Sequence, residues 1–257
     1  MKHLLTIFIV SILFIAPINA QGTAGEGAQF EYRYLIDRPA TGILKKGFVG
    51  VSNDVMPYGV LITKIEVGAF EGMSFGISYG GENIIGSGAP TWYKTPGVNL
   101  RVRLFEESLT FPNITLGFDS QGRGKFFRDQ QRYAVKSPGF FAAGSKNFKF
   151  LGYMSLHSSV NYSLESSDGE NFVNMSVGIE KTVGQSVSFV SEYDFAFNDN
   201  ADISFGKGNG YLNFGVRWSV GEGLTLGMEF RDLFSNKSWN AHSADRSIHI
   251  EYIRSIF

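Results

Sequence analysis

The sequence VNLRVRL at residues 98–104 alternates apolar and polar side chains without a break. Because successive side chains of a β-strand point to opposite faces, this stretch as a strand has one apolar face and one face that carries Arg101 and Arg103. Residues 212–218 and 224–231 repeat the pattern, again with large apolar groups on one face and formal charges on the other. The two faces of these strands therefore meet two different environments.

About twelve stretches of this kind fill the chain from residue 45 to its last residue, and the connections between them alternate between long and short. This layout predicts an all-β protein, a transmembrane antiparallel up-and-down β-barrel over residues 45–257 with short periplasmic turns and longer outer loops. A secreted soluble β-sandwich shares the periodicity and is the alternative fold. The predicted strands cover residues 45–55, 58–69, 72–80, 96–106, 112–120, 132–145, 150–164, 171–182, 185–197, 209–220, 223–234 and 245–257.

Residues 1–20 have the composition of a secretory signal peptide. Lys2 and His3 precede an apolar run at residues 4–16, and small residues follow up to Ala20. The run is shorter than the roughly 20 residues that a membrane-spanning helix needs. We therefore expect cleavage near Ala20 and a location in the outer membrane of a Gram-negative bacterium.

Residues 21–44 do not fit the ladder of strands. They begin with several glycines, and then Phe30, Tyr32 and Tyr34 alternate with Glu31 and Arg33. Counted as a strand, this stretch would give an odd total, whereas closed single-chain bacterial barrels have an even number. We expect an N-terminal periplasmic extension or a partial plug.

The composition restricts the partners. The net charge is −1, the sequence pI is about 6.4 and cysteine is absent, so no basic field for nucleic acid is present and no disulfide forms. The lipid bilayer and the outer-membrane assembly machinery are the expected partners. Trp218 and Phe230 are candidates for aromatic girdles at the membrane surfaces, and Tyr252 with Phe257 is the candidate assembly signal in the last strand.

The polar faces of the predicted strands bring charges of both signs into the barrel. Buried charges are costly unless they are paired, so we expect them to pair across the lumen or to form a selective constriction, with Arg217 beside Glu192 or Asp194 as the natural gate. The candidate lumen-lining residues are Arg101, Arg103, Glu180, Glu192, Asp194, Arg217, Glu229, Arg231 and Glu251.

Signals for catalysis or for a cofactor are weak. His157 shares a strand face with Ser155, Ser159 and Asn161, residue types of an outer-membrane phospholipase, but nothing marks an oxyanion site or a substrate route. The acidic loop at residues 198–209 lacks the glycine and the glutamate of an EF-hand. We expect no enzyme activity, no metal and no cofactor.

Two stretches resemble the YjbH-like family of putative exopolysaccharide-biosynthesis outer-membrane proteins. Residues 36–42, IDRPATG, are similar to the family's lead-in to the first strand, although Ala40 and Thr41 stand in the reverse order. Residues 114–124, 132–134 and 142–146 are similar to its Gly-rich strand and loop followed by a strand that ends in Ser-Lys. The resemblance implies a non-enzymatic barrel that serves envelope polysaccharide production or export, with no catalytic residues to carry over.

The main functional prediction is therefore an outer-membrane barrel associated with cell-envelope polysaccharide. The alternative is a narrow diffusion channel for small polar or charged solutes, favoured by the charged inner face. A hydrolase embedded in the barrel is a weaker third possibility.

Overall fold

Most of the chain is one sheet of β-strands. The computed structural model describes residues 30–184, 186–200, 204–238 and 245–256. None of the helical turns in that part is long and apolar enough to cross a membrane. A short 3₁₀ turn covers Pro57–Gly59, and the strands are β1 (Phe48–Met56), β2 (Val60–Phe70), β3 (Met73–Glu82), β4 (Thr91–Trp92), β5 (Gly97–Phe105), β6 (Asn113–Asp119), β7 (Arg123–Phe127), β8 (Arg132–Val135), β9 (Gly139–Lys149), β10 (Tyr153–Tyr162), β11 (Asn174–Val183), β12 (Val187–Asp194), β13 (Tyr211–Gly221), β14 (Leu224–Arg231) and β15 (Asp245–Ser255).

Twelve of these strands close into a barrel. Each pairs antiparallel with the next along the chain, and β15 returns to pair with β1, from Phe48 opposite Ser255 to Val55 opposite Ile248. The remaining strands lie at one rim, β4 on β3 and β7 with β8 in a separate hairpin. The prediction of a twelve-stranded barrel is confirmed, and the soluble β-sandwich is wrong because a single sheet closes on itself.

Alternating side chains divide between the outside and the inside of the barrel as the sequence predicts. On β5, Val98 is 49% exposed, whereas Arg101 is fully buried. The same division holds around the wall, so a broad apolar surface covers the outside. Its exposed members include Phe75, Ile77, Leu100, Leu116, Phe140, Leu156, Val160, Met175, Val177, Ile179, Phe189, Met228, Ile248 and Ile250.

The two ends of the barrel differ in the length of their connections. At the short-turn end the connections are residues 71–72, 106–112, 150–152, 184–186 and 222–223. At the long-loop end they are residues 57–59, 83–96, 120–138, 163–173, 195–210 and 232–244. The alternation of long and short connections is confirmed, including the short turn of the first hairpin.

The predicted strand at residues 132–145 is wrong. The structure divides it into β8 and β9, because Pro138 has no N–H to donate to a ladder and Gly139 has a positive φ of 64°. The carbonyl group of Tyr162 occupies the space where a side chain at position 139 would begin. The chain therefore turns before β9, and β8 pairs with β7 across the long-loop end instead of lengthening the wall.

Candidate functional site

The interior of the barrel is polar, and most of it is filled by the protein itself. We call residues 30–44 the inner segment. Leu35, Ile36, Arg38 and Ala40 are each no more than 3% exposed, although they precede the first strand of the wall. A surface tail has no such burial, so the barrel encloses this stretch.

The inner segment enters and leaves the barrel at the same end. The rings of Phe30 and Phe48, the first residue of β1, have centroids 5.4 Å apart, and at the other end of the segment Gly47 donates a backbone hydrogen bond to Gly68. Between these points the chain folds back on itself, with Tyr34 bridged to Pro39. The segment is a loop inserted from the short-turn end.

Glu192 of β12 holds the tip of this loop. Its carboxylate accepts backbone N–H bonds from Ile36 at 3.0 Å, Asp37 at 3.1 Å and Arg38 at 2.9 Å. The side-chain amide of Asn213 donates a further bond at 2.9 Å. Converging backbone N–H groups bind anions well, so the buried carboxylate and the tip of the loop satisfy each other.

Ion pairs with the wall fix the arginines of the inner segment. Arg38 lies 2.6 Å from Asp194 of β12. Arg33 bridges Glu66 of β2, at 2.9 Å, and Glu251 of β15. Both guanidinium groups are almost fully buried, which is tolerated because each meets a carboxylate.

Charges of the wall also reach the segment. Arg231 of β14 lies 2.7 Å from Asp37 and 2.7 Å from Glu229 of its own strand. Arg103 of β5 pairs with Glu31 and donates to the carbonyl oxygen of Thr41 at 3.0 Å. The segment is therefore held by both signs of charge.

Two further wall arginines bind main-chain oxygen atoms of the segment. Arg101 donates to the carbonyl oxygen of Ala40 at 3.1 Å, and Arg217 donates to those of Tyr34, at 3.1 Å, and Leu35. The guanidinium of Arg217 also lies 3.9 Å from the ring centroid of Tyr32. Cation–π contacts of this kind stabilise a desolvated arginine.

Apolar packing contributes a small part of the contact between the wall and the inner segment. Leu35, Ile36 and Ala40 pack against Val190 of β12. Gly178 of β11 faces them, and a Cβ there would overlap the side chain of Leu35. The wall is thus shaped to admit the segment at this point.

Little space remains inside. A cavity of about 30 Å³ lies between Tyr32, Arg33, Asp54, Arg217 and Glu251. Such a volume is close to that of one water molecule. At this point of the lumen, the inner segment therefore leaves room for little more than water.

A second element, the β7–β8 hairpin, narrows the long-loop end. The β7–β8 hairpin crosses it, with Tyr133 in an apolar cluster of Met56, Val60, Ile62 and Tyr93. Burial raises the pKa of Tyr133 to about 12. The hairpin therefore rests on a packed base at the rim.

Ion pairs join the hairpin to the neighbouring loops. Arg132 lies 2.7 Å from Asp168 and 2.6 Å from Asp199, and Lys136 lies 2.7 Å from Asp168. Burial lowers the pKa of Lys136 despite this partner. Arg123 reaches the wall, 2.8 Å from Asp54.

The residues predicted to line the lumen all lie on the inward face of the wall. Their partners differ from those expected, because Arg217 stands opposite Ser188 in the register of β12 and β13, and Glu192 opposite Asn213. Arg217 instead approaches Glu229, at 3.7 Å. The predicted gate of Arg217 with Glu192 or Asp194 is therefore wrong, and the inner segment separates them.

The candidate girdle and assembly-signal residues that the structure describes lie on strands of the wall. Trp218 is 51% exposed near the short-turn end, Phe230 is half-buried near the long-loop end and Tyr252 is 42% exposed on β15. Phe257 and residues 1–20, the predicted signal peptide, lie outside the described residues. Recognition by the assembly machinery stays a prediction.

The serine–histidine group on β10 is not assembled for catalysis. The ring nitrogens of His157 have no hydrogen-bond partner among the described residues. Ser155 donates to Asn147, and Ser159 lies 2.7 Å from Ser176. The hydroxyl groups are therefore engaged with the wall rather than with the imidazole.

Sequence reasoning missed Lys64, Glu66 and Asp54 at the centre of this site. Lys64 pairs with Asp119 at 2.6 Å, and Asp54 lies 2.7 Å from His249. Glu66 shares a strand face with Lys64, Ile62 and Val60, so β2 shows no clean polar face that would have revealed it. The arginines of the inner segment lie outside the strand ladder, where strand periodicity gives no information.

Comparisons with known proteins give a fold likeness only. No family model matches the chain, and no curated protein matches it. Among solved structures it resembles the KdgM porin, at 7% identity and a TM-score of 0.47 over 80% of this chain and 98% of that one. It also resembles the NanC porin, at 9% identity and a TM-score of 0.43 over 81% of this chain and 100% of that one. Its likeness to Omp33 of Acinetobacter baumannii has 6% identity and a TM-score of 0.42 over 83% of this chain and 99% of that one.

The resemblance to the YjbH-like family is wrong. No family model matches the chain, and none of the solved structures named above carries that description. Residues 36–42 are not a lead-in outside the wall but the tip and return of the inner segment. The Gly-rich run at residues 114–124 is β6 and the start of a rim hairpin, a pattern that antiparallel barrels share. The polysaccharide function followed from this resemblance and loses its basis.

Proposed function

We propose that this chain is an outer-membrane channel for small polar solutes and that its inner segment keeps the channel closed. The observation that carries the proposal is the way in which residues 30–44 are held inside the barrel. They fill a polar lumen through ion pairs and hydrogen bonds, which water can replace when the segment leaves.

The outer surface supports a membrane location. Soluble monomers rarely expose a continuous apolar surface of more than a few hundred Å². Here apolar side chains cover the wall on all sides, including Ile77, Val177 and Met228, which are 58%, 43% and 54% exposed. Hydrocarbon is the solvent that suits this surface, and the short-turn end then faces the periplasm, as in outer-membrane barrels.

The path of the inner segment supports gating rather than permanent closure. Both ends of the loop lie at the short-turn end, so it withdraws into the periplasm without threading through the barrel. The wall strands keep their own backbone pairing when it leaves. Removal therefore opens a lumen without unfolding the wall.

The test uses the complete chain in planar bilayers. Arg33→Ser with Arg38→Ser removes the cations that hold the segment against Glu66, Glu251 and Asp194. We expect rare openings from the wild type and frequent discrete conductance steps from the double variant, each with the heat-dependent gel shift of a folded barrel.

A reversible crosslink provides the control. The side-chain oxygens of Thr41 and Ser145 lie 2.6 Å apart, and the chain contains no native cysteine. Thr41→Cys with Ser145→Cys, added to the arginine double variant, should abolish the conductance when oxidised and restore it on reduction. The matched wall-to-wall pair Ser159→Cys with Ser176→Cys should leave it unchanged. A folded double variant that stays silent, whether oxidised or reduced, contradicts the proposal.

A further inference from the structure

We infer that the opened lumen selects cations, and that the solute which competes with the inner segment carries guanidinium or ammonium groups. This inference rests on the proposed channel function. It follows from the partners that the wall loses when the segment withdraws.

Of the described wall residues, more carboxylates than cations are left without an oppositely charged partner when the segment withdraws. Without the segment, Glu66 and Glu251 lose Arg33, Asp194 loses Arg38, and Glu192 loses three N–H donors. All four carboxylates lie on the inward face of the wall. Each is satisfied at present by positive or partially positive groups of the segment.

Glu180 adds a fifth inward carboxyl group. It is 1% exposed, and neither of its carboxyl oxygens has a hydrogen-bond partner among the described residues. His157, diagonal to it on the neighbouring strand, is 8% exposed, and both of its ring nitrogens lack a hydrogen-bond partner. These inward polar groups mark a place where a bound donor would be satisfied.

The wall cations keep more of their neutralisation. Arg231 and Arg217 lose the segment but retain Glu229, at 2.7 Å and 3.7 Å. Lys64 retains Asp119. Among the described wall cations, only Arg101 and Arg103 face the opened lumen without a carboxylate of the wall. Both are on β5, several strands around the barrel from the carboxylates of β11 and β12.

The seated arginines show which chemistry the lumen accepts. Guanidinium groups match carboxylates in shape and bind them through paired N–H donors. Arg33 and Arg38 of the segment therefore stand where the cationic groups of a solute would bind. Rings of carboxylates are also the usual device by which pores favour cations.

The test is the reversal potential of the complete Arg33→Ser, Arg38→Ser chain in a KCl gradient. We expect a potential of the sign that potassium permeation gives, with cations passing several-fold better than chloride. Guanidinium chloride in place of KCl should also carry current. Gly178→Ala, which crowds Leu35, gives a second route to the open state that leaves both arginines in place.

Wall substitutions separate selectivity from opening. Glu192→Gln with Asp194→Asn should move the reversal potential toward zero, whereas Asp129→Asn, a charge change of the same sign at an exposed position of the β7–β8 turn, should leave it unchanged. Conductance that prefers chloride, or that prefers neither ion, overturns this inference and leaves the channel intact. Absence of conductance in every folded variant overturns the channel function and this inference with it.

Discussion

The wall of the barrel and the inner segment inside it are stabilised in different ways. Every strand of the wall pairs with two neighbours through backbone hydrogen bonds, and the sheet has no free edge. The inner segment has few backbone bonds of its own, such as Leu35 to Arg38 at 3.1 Å and Ala40 to Arg33 at 2.9 Å. Its position depends on side chains that belong to the wall.

This difference separates stability from closure. Closed barrels satisfy their backbone internally, so the backbone pairing of the wall does not depend on what fills it. The segment stays inside the barrel only while specific carboxylates and arginines of the wall contact it. Substitutions at those side chains should therefore release the segment and leave the wall folded.

The largest effect on the segment is expected from Arg38→Ser. Removal of one partner of a buried ion pair costs about 3–5 kcal/mol, because the remaining charge is left unpaired. Here that charge is Asp194, and water relieves it if the segment withdraws. Chymotrypsin should then cleave after Tyr32 or Tyr34, which the wild type protects, while the heat-dependent gel shift stays.

Arg254→Ser is the control for Arg38→Ser, because it removes an exposed arginine of β15. It should leave the segment protected. Loss of the gel shift in Arg38→Ser would show instead that the wall depends on the segment.

Val177→Arg tests the outer, apolar face of the wall. Val177 lies in the middle of β11 on the apolar outer face and is 43% exposed. An arginine on the lipid face of a barrel near the midplane costs about 2–4 kcal/mol. Urea unfolding in lipid vesicles should show a loss of this size, with the segment still protected from chymotrypsin in the folded fraction.

Val177→Leu serves as the control for the wall and should unfold like the wild type. An unchanged stability of Val177→Arg would contradict contact between this face and lipid.

The smallest effect compares two inward glycines. A Cβ at Gly178 would overlap Leu35 and would lie 2.8 Å from the carbonyl oxygen of Ser191 in the wall, whereas a Cβ at Gly215 would lie 3.6 Å from Ile36, at ordinary contact distance. Overpacking costs roughly 1–3 kcal/mol. Gly178→Ala should therefore increase cleavage of the segment by chymotrypsin, and Gly215→Ala should not.

Equal cleavage rates of the two alanine variants would show that Leu35 moves aside at no cost. Rescue of Gly178→Ala by Leu35→Val, which shortens the side chain, would locate the clash at this contact.

The sequence predicted the wall well because its signal is local. Alternation within a single strand, as at residues 98–104, decides which side chains face outward, whatever strand lies beside it. Twelve strands and the alternation of their connections follow from such local patterns. The error at residues 132–145 also has a local cause, since Pro138 and Gly139 interrupt a stretch whose composition otherwise suits a strand.

The sequence by itself determined that most wall strands, though not β2, have one apolar and one polar face, because successive side chains of a strand point to opposite sides. Only the tertiary structure decided which charges meet. Arg33 and Glu251 lie more than 200 residues apart in the chain, and their contact depends on the closure of the barrel and on the path of the inner segment. The register between β12 and β13 likewise separates Arg217 from Glu192. The site that holds the segment exists only in the closed barrel, since its residues come from several strands.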